Sequence, residues 1–167
     1  MNKIIIATIL LSTSIHAGSF PANTEYQTCF TPSDNCTGMI VNEIRSAKKS
    51  INVQAYSFTS LPIEESLATA KSNNIDVNVI LDKTQKNTSA QYFIEHGIPV
   101  WIDYKPRIAH NKVMIIDNET VITGSFNFTF AAQSKNAENV LIIHDKELAK
   151  TYLANWNKRQ LESKEEK

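Results

Sequence analysis

The 167-residue chain has no excess charge of either sign: 17 Lys and Arg stand against 17 Asp and Glu. That balance does not mark a nucleic-acid binder, so any affinity for phosphate has to come from local placement of a few side chains. Cysteine is almost absent. The two present, Cys29 and Cys36, have no second Cys pair or His pair nearby, which argues against a zinc site. Long hydrophobic runs are lacking too, and nothing after the first residues resembles a transmembrane segment. No internal repeat and no linker interrupts the chain, which points to one domain.

Residues 1–17 read as a signal peptide. Lys3 supplies a positive start, Ile4 to Leu11 a short apolar core, and Ala17 a small residue at the cleavage point. The apolar run is too short to span a bilayer, and an uncleaved amphipathic start is the alternative. No cysteine follows the cleavage point, against a lipoprotein anchor. The expectation is a periplasmic or secreted protein whose residues 18–167, about 150, form a single domain with its own core. In that setting Cys29 and Cys36 are expected to form a disulfide around the turn formers Pro32 and Ser33 to Asn35. Two free thiols or an intermolecular link are the alternatives.

Strand-like and helix-like patterns alternate. Strands are expected near 26–30 and over 50–58, 75–81, 99–103, 110–117, 120–123 and 140–144. Helices are expected over 37–48, from Pro62 to about 74, over 90–95 and over 146–161, with Lys83 to Ser89 a polar loop and Glu162 to Lys167 a solvated, frayed tail. The Asp117-Asn118 turn joins two strands directly, which a purely parallel sheet cannot do. The fold class is therefore α/β, a mixed central β-sheet flanked by helices in an α/β/α sandwich.

The chemistry concentrates between His110 and Glu138. On a strand, side chains alternate, so His110, Lys112, Met114 and Ile116 share one face, and Asp117 points to the other from the far end. Parity separates Asp117 from His110 and assigns it to the turn. The next strand returns the chain toward the His end. There Gly124 permits a tight turn, and Ser125 and Asn127 follow with Phe126 and Phe128 interleaved as core. Thr129 to Gln133 is expected to begin a helix capped by Asn127 or Thr129, whose free amides would add to an anion site. An ammonium, a hydroxyl, an amide and an imidazole in one corner suit a phosphate group. Glu138 is placed to accept a hydrogen bond from His110 and orient it. Taken alone, each residue reads first as an ordinary surface, turn or cap residue. The joint spacing carries the argument: His-x-Lys, four residues, Asp, six residues, then Gly-Ser-x-Asn.

This spacing resembles the HKD motif of the phospholipase D superfamily. Residues 50–60, 97–100, 124–129 and 136–140 extend the likeness to the small exported bacterial endonucleases of its Nuc-type branch, over roughly 38–160 of the chain. The segment around Cys29 and Cys36 is not part of the shared pattern. The resemblance implies that His110 is a nucleophile forming a covalent phosphohistidine, that Lys112, Ser125 and Asn127 bind phosphate, that Glu138 orients the His, and that Asp117 is structural. It implies no metal and no cofactor, and the sequence has no clustered carboxylates of the kind that hold Mg²⁺. His110-Asn111 alone would fit a metal-dependent HNH nuclease, but Lys112 and the lack of further His ligands argue against it. With one motif per chain, attack and leaving-group protonation need two imidazoles. A homodimer with a composite site is expected, with His96 or His144 as the alternative second imidazole.

The activity the resemblance implies is phosphodiester cleavage of DNA, and of RNA as a further candidate, with little sequence preference. Lys83, Lys86, Lys105, Arg107 and Lys135 are candidates to track the backbone or are ordinary solvated surface. Tyr104 and Phe130 are candidates to stack on a base, with core packing favoured for Phe130. A lipid-cleaving phospholipase D and a silent nucleic-acid-binding module are the competing readings. No apolar loop suggests membrane docking, so no stable membrane association is expected.

Overall fold

The structure, a computed structural model, describes residues 17–86 and 89–167. The expected signal peptide, apart from Ala17, lies outside the described residues. The chain runs β1 (Glu25–Phe30), α1 (Cys36–Ser46), β2 (Ser50–Ala55), α2 (Leu61–Ser72), β3 (Asp76–Asp82), a 3₁₀ turn (Lys83–Gln85), α3 (Ser89–Glu95), β4 (Val100–Asp103), β5 (Lys112–Ile116), β6 (Thr120–Gly124), α4 (Phe130–Ser134), β7 (Asn139–His144), α5 (Lys146–Glu162) and β8 (Lys164–Glu166). The strands form one mixed sheet in the order β1-β7-β6-β5-β2-β3-β4-β8. Pairs β2–β3 and β3–β4 are parallel, and the rest are antiparallel. This is the expected α/β/α sandwich.

Alternation on β5 sorts the two cores. Met114 and Ile116 enter the larger one, with Ile40 and Ile44 of α1, Ile63 and Leu67 of α2, and Phe93 of α3. Val113 and Ile115 enter the smaller one, closed by Ala149 and Trp156 of α5. All five residues of β5 are buried, as a central strand with both faces covered requires. The indole of Trp156 donates from Nε1 to the Val53 carbonyl at 2.9 Å and so fastens α5 to the middle of the sheet.

Three expectations change. The strand begins at Lys112, so His110 and Asn111 precede it. Strand β2 ends at Ala55, short of Phe58. The tail is not frayed: Ile102 pairs with Lys164 and Val100 with Glu166, so β8 covers the outer edge of β4. Main-chain groups of an uncovered edge accept almost any strand, which explains why a Lys-Glu-Glu segment with no apolar signal pairs there.

Asp117 sits where parity placed it, in the turn after β5. Its φ is 54° and that of Asn118 is 59°, and Glu119 N closes the turn on Ile116 O at 3.0 Å. Asp and Asn are the residues that best tolerate this left-handed region after glycine. The Asp117 carboxylate accepts from the amides of Lys48, Lys49 and Ser50 at 2.8, 2.7 and 2.9 Å. It braces the start of β2 at the opposite end of the sheet from His110.

Candidate active site

The register of the strands decides which side chains meet. Ala55 at the end of β2 lies opposite Lys112 at the start of β5. Gly124 at the end of β6 lies opposite Val140, and Phe30 at the end of β1 opposite Asn139. The loops that follow β1, β2, β3, β4 and β6, and those that precede β5 and β7, therefore gather at one end of the sheet. His110, Lys112, Ser125, Asn127 and Glu138 all belong to that end.

His110 is exposed and Lys112 is 7% exposed. The Lys112 ammonium stands 3.2 Å from His110 Nε2 and also donates to the His110 carbonyl at 3.2 Å. An ammonium has no acceptor, so its approach to Nε2 selects the tautomer carrying its proton on Nδ1. The ring of Tyr56, the first residue past β2, packs against the imidazole at 4.5 Å between centroids. The Lys112 ammonium lies 5.1 Å from the centre of the same ring, a cation–π distance. Burial lowers the Lys112 pKa from the ordinary lysine value, and the negative charge of Glu138 partly restores it.

Glu138 faces Lys112 but makes no hydrogen bond to His110, which corrects the sequence expectation. Its two oxygens are already engaged: Ser125 Oγ donates to Oε2, and Asn136 Nδ2 donates to Oε1 at 2.9 Å. Ser125 Oγ in turn accepts from Asn139 N and Nδ2 at 3.1 and 3.3 Å. Gly124 makes this approach possible. Its φ is +145°, and a Cβ there would lie 2.2 Å from the Asn139 carbonyl oxygen. Only glycine fits both conditions.

The segment after β6 docks on the segment after β2. The amides of Thr59 and Ser60 both donate to the Phe128 carbonyl, and Phe58 bridges Phe128. Asn127 is held in that segment, and its Oδ1 is buried without a partner among the described residues. Thr129, not Asn127, caps α4, accepting from Ala132 N at 3.1 Å. The helix has only five residues, and one of its first amides, that of Ala132, is taken by Thr129. On the other side of the site, the Asp82 carboxylate, 1% exposed, accepts from Ala109 N at 2.7 Å and from Thr84. It thereby fixes the residue just before His110. Its pKa is lowered: burial opposes the charge, but these hydrogen bonds outweigh it.

Tyr56, Asp82 and Asn139 were not singled out from the sequence. Tyr56 sits at the exit of a strand-like run, where a stacking tyrosine and a core tyrosine read alike. The basic loop residues are partly engaged. Lys86 pairs with Glu166 and Lys105 with Glu162, both at 2.9 Å, and Lys83 reaches the Pro106 carbonyl. The lysines of both pairs are solvent-exposed, and surface pairs of this kind contribute little stability. Phe130 is not core but 69% exposed. It stands at this end of the sheet with exposed Phe30, Leu61, Tyr104 and Ile108.

Cys29 and Cys36 form the disulfide. His96 lies at the end of α3 against Tyr92, and His144 at the far end of β7 bonds Thr120; neither reaches the site. Among the described residues no three His, Cys, Asp or Glu side chains converge as a metal site, and no helix is long and apolar enough to cross a membrane. A concave surface of about 750 Å³ between residues 17–20 and the start of α5 lies at the opposite end of the sheet from His110.

A family model described as cardiolipin synthase, PLD-like domain matches residues 40–166. A protein named phospholipase D from Rickettsia conorii is 46% identical over 142 residues, 83% of this chain and 71% of its own length. The mitochondrial cardiolipin hydrolase of Homo sapiens is 25% identical over 128 residues, 75% of this chain and 51% of its own. Among solved structures, Nuc of Salmonella typhimurium, a phospholipase D family member, superposes with a TM-score of 0.82 at 36% identity, over 86% of this chain and 99% of that one. NucT from Helicobacter pylori superposes with a TM-score of 0.75 at 23% identity, over 84% and 98% of the two chains, a likeness of fold.

Proposed function

The chain belongs to the phospholipase D superfamily, enzymes of phosphodiester bonds, and from that premise we propose that it is an endonuclease. In this reading it cleaves DNA, and RNA as a further substrate, with little sequence preference. It acts without metal and through a phosphohistidine at His110. The observation that carries the reading is the exposed His110 imidazole with its Nε2 turned to a buried ammonium. On substrate binding the ammonium leaves Nε2 for a phosphate oxygen, which frees the lone pair of that nitrogen, and Asn127 supplies a directional contact, while the one proton of the Ser125 hydroxyl stays on Glu138. Nε2 attacks phosphorus and the ester oxygen leaves. Glu138 keeps Lys112 charged in its buried position and anchors Ser125.

In-line displacement needs an acid on the side opposite the nucleophile, and neither His96 nor His144 lies at this end of the sheet. The protein acts as a homodimer in this reading, with His110 of the partner subunit protonating the leaving oxygen and then activating water. The exposed Phe30, Leu61, Tyr104, Ile108 and Phe130 around the site support a seam here, because a second chain would remove their apolar surface from water. Export of residues 18–167 as one domain completes the proposal, and the Cys29–Cys36 bridge is consistent with it.

Subunit mixing tests the composite site. Mixed dimers of intact and His110→Ala chains are expected to be inactive, and full activity in them would refute it. A second reading, lipid hydrolysis, is favoured by the relatives named phospholipase D. Incubation with plasmid DNA and phosphatidylcholine in excess EDTA separates the two. Nicked DNA without choline release supports the nuclease, and choline release without nicking supports the lipase.

A further inference from the structure

Outside the matched residues 40–166, the stretch from Cys29 to Thr37 is bolted to the loop that carries Glu138. Thr31 is 6% exposed and makes three hydrogen bonds there. Its amide donates to the Glu138 carbonyl at 3.0 Å. Its hydroxyl donates to the Asn136 carbonyl at 3.0 Å and accepts from Glu138 N at 3.1 Å. A second bolt is Gln133, which accepts from Thr37 N at 2.8 Å and donates to the Asp34 carbonyl at 2.9 Å. The stretch is itself tied by the Cys29–Cys36 bridge and by Asp34, whose carboxylate accepts from Phe30 N at 2.9 Å.

We propose that Thr31 is a positioning residue for Glu138, and that the Cys29–Cys36 bridge acts on the site through it. Residues 135–138 form a loop between α4 and β7. Thr31 holds both its carbonyl at 136 and its amide at 138, so the Glu138 side chain leaves a backbone fixed on two sides. From there it takes the Ser125 hydroxyl and the Asn136 amide and faces Lys112. Valine matches the shape of threonine but can neither donate to Asn136 nor accept from Glu138. Serine can do both.

The inference rests on the reading of Glu138 given above, so the experiment carries a separate control for that reading. Steady-state hydrolysis of bis-p-nitrophenyl phosphate is compared for wild type, Thr31→Val, Thr31→Ser and Glu138→Gln, with unfolding midpoints measured on the same preparations. Misplacement of a catalytic constellation by a fraction of an ångström is expected to lower kcat about tenfold in Thr31→Val with little change in KM. Thr31→Ser is expected to recover most of it, although its unfolding midpoint falls through loss of the buried methyl. Wild-type kcat in Thr31→Val, or a kcat in Thr31→Ser as low as in Thr31→Val, overturns the proposal. Reduction of wild type with dithiothreitol is expected to lower kcat, and to lower that of Thr31→Val by a smaller factor, since both perturb one link. Equal factors in the two refute the role of the bridge. Full activity in Glu138→Gln would instead remove the reading of Glu138, whatever Thr31 shows.

Discussion

Replacing Asp117 with alanine tests whether the motif aspartate is a brace or a catalyst. Its carboxylate accepts three backbone amides at 2.7–2.9 Å, from Lys48, Lys49 and Ser50. A hydrogen bond to a charged group contributes about 1.5–3 kcal/mol when buried. Here the Lys48 and Lys49 amides border solvent and regain water on truncation, while the Ser50 amide is half-buried. The three together are worth about 2 kcal/mol by the same scale. Alanine at φ 54° adds about 1 kcal/mol of left-handed strain. The sum, about 3 kcal/mol, lowers the unfolding midpoint by roughly 6–12 °C for a domain of this size. Asp117→Asn keeps one acceptor and tolerates the turn, and should lose only about a third of that. The assay is thermal unfolding followed by circular dichroism, paired with plasmid nicking at a temperature where the variant stays folded. Activity per folded molecule is expected to remain near wild type. Loss of nicking with an unchanged midpoint would refute the brace and place Asp117 in the chemistry.

Lys112→Met is expected to raise stability while removing function. Burial depresses the Lys112 pKa, so the folded chain binds that proton less readily than the unfolded chain. The penalty is full below the depressed value and fades as pH rises from it toward the ordinary lysine value. The variant's midpoint should therefore exceed wild type at neutral pH, by a margin that shrinks in alkali, while nicking falls about 10²–10³-fold. A lower midpoint at neutral pH would mean that the hydrogen bonds of Lys112 outweigh its desolvation. Removing the disulfide with Cys29→Ser and Cys36→Ser frees a loop of sequence separation 7. By loop-closure entropy this costs about 2.5 kcal/mol, a midpoint drop of roughly 5–10 °C. An unchanged midpoint would contradict that estimate.

Periodicity was enough to place most helices, each of which buries one face, while apolar runs bounded by turn residues placed the strands, β5 among them although both its faces are buried. It also predicted that Lys112 shares a face with Met114 and Ile116, and that Asp117 does not belong with His110. The partner of Glu138 was not legible. Whether it meets His110 or Ser125 depends on the register between β6 and β7 and on Gly124, and alternation within one strand does not determine either. Phe130 was assigned to the core on hydrophobicity, but a residue opening a five-residue helix at the rim has no layer to enter. Tyr56, Asp82 and Thr31 escaped for a related reason. Their importance comes from contacts with residues 27 to 107 positions away along the chain, which no local pattern encodes.

Strands β1 and β8, drawn from the two ends of the described chain, form the sheet's outer margins. A fusion attached after Lys167 would emerge just past Val100, and a chain cut at Glu162 would leave the main chain of Val100, Trp101 and Ile102 unpaired on one side. Such a shortened protein, though it keeps every residue discussed for phosphodiester cleavage, would carry a sticky flank open to strand exchange between molecules. Trimming the charged end for crystallisation or expression would thus trade a solvated tip for a self-associating one.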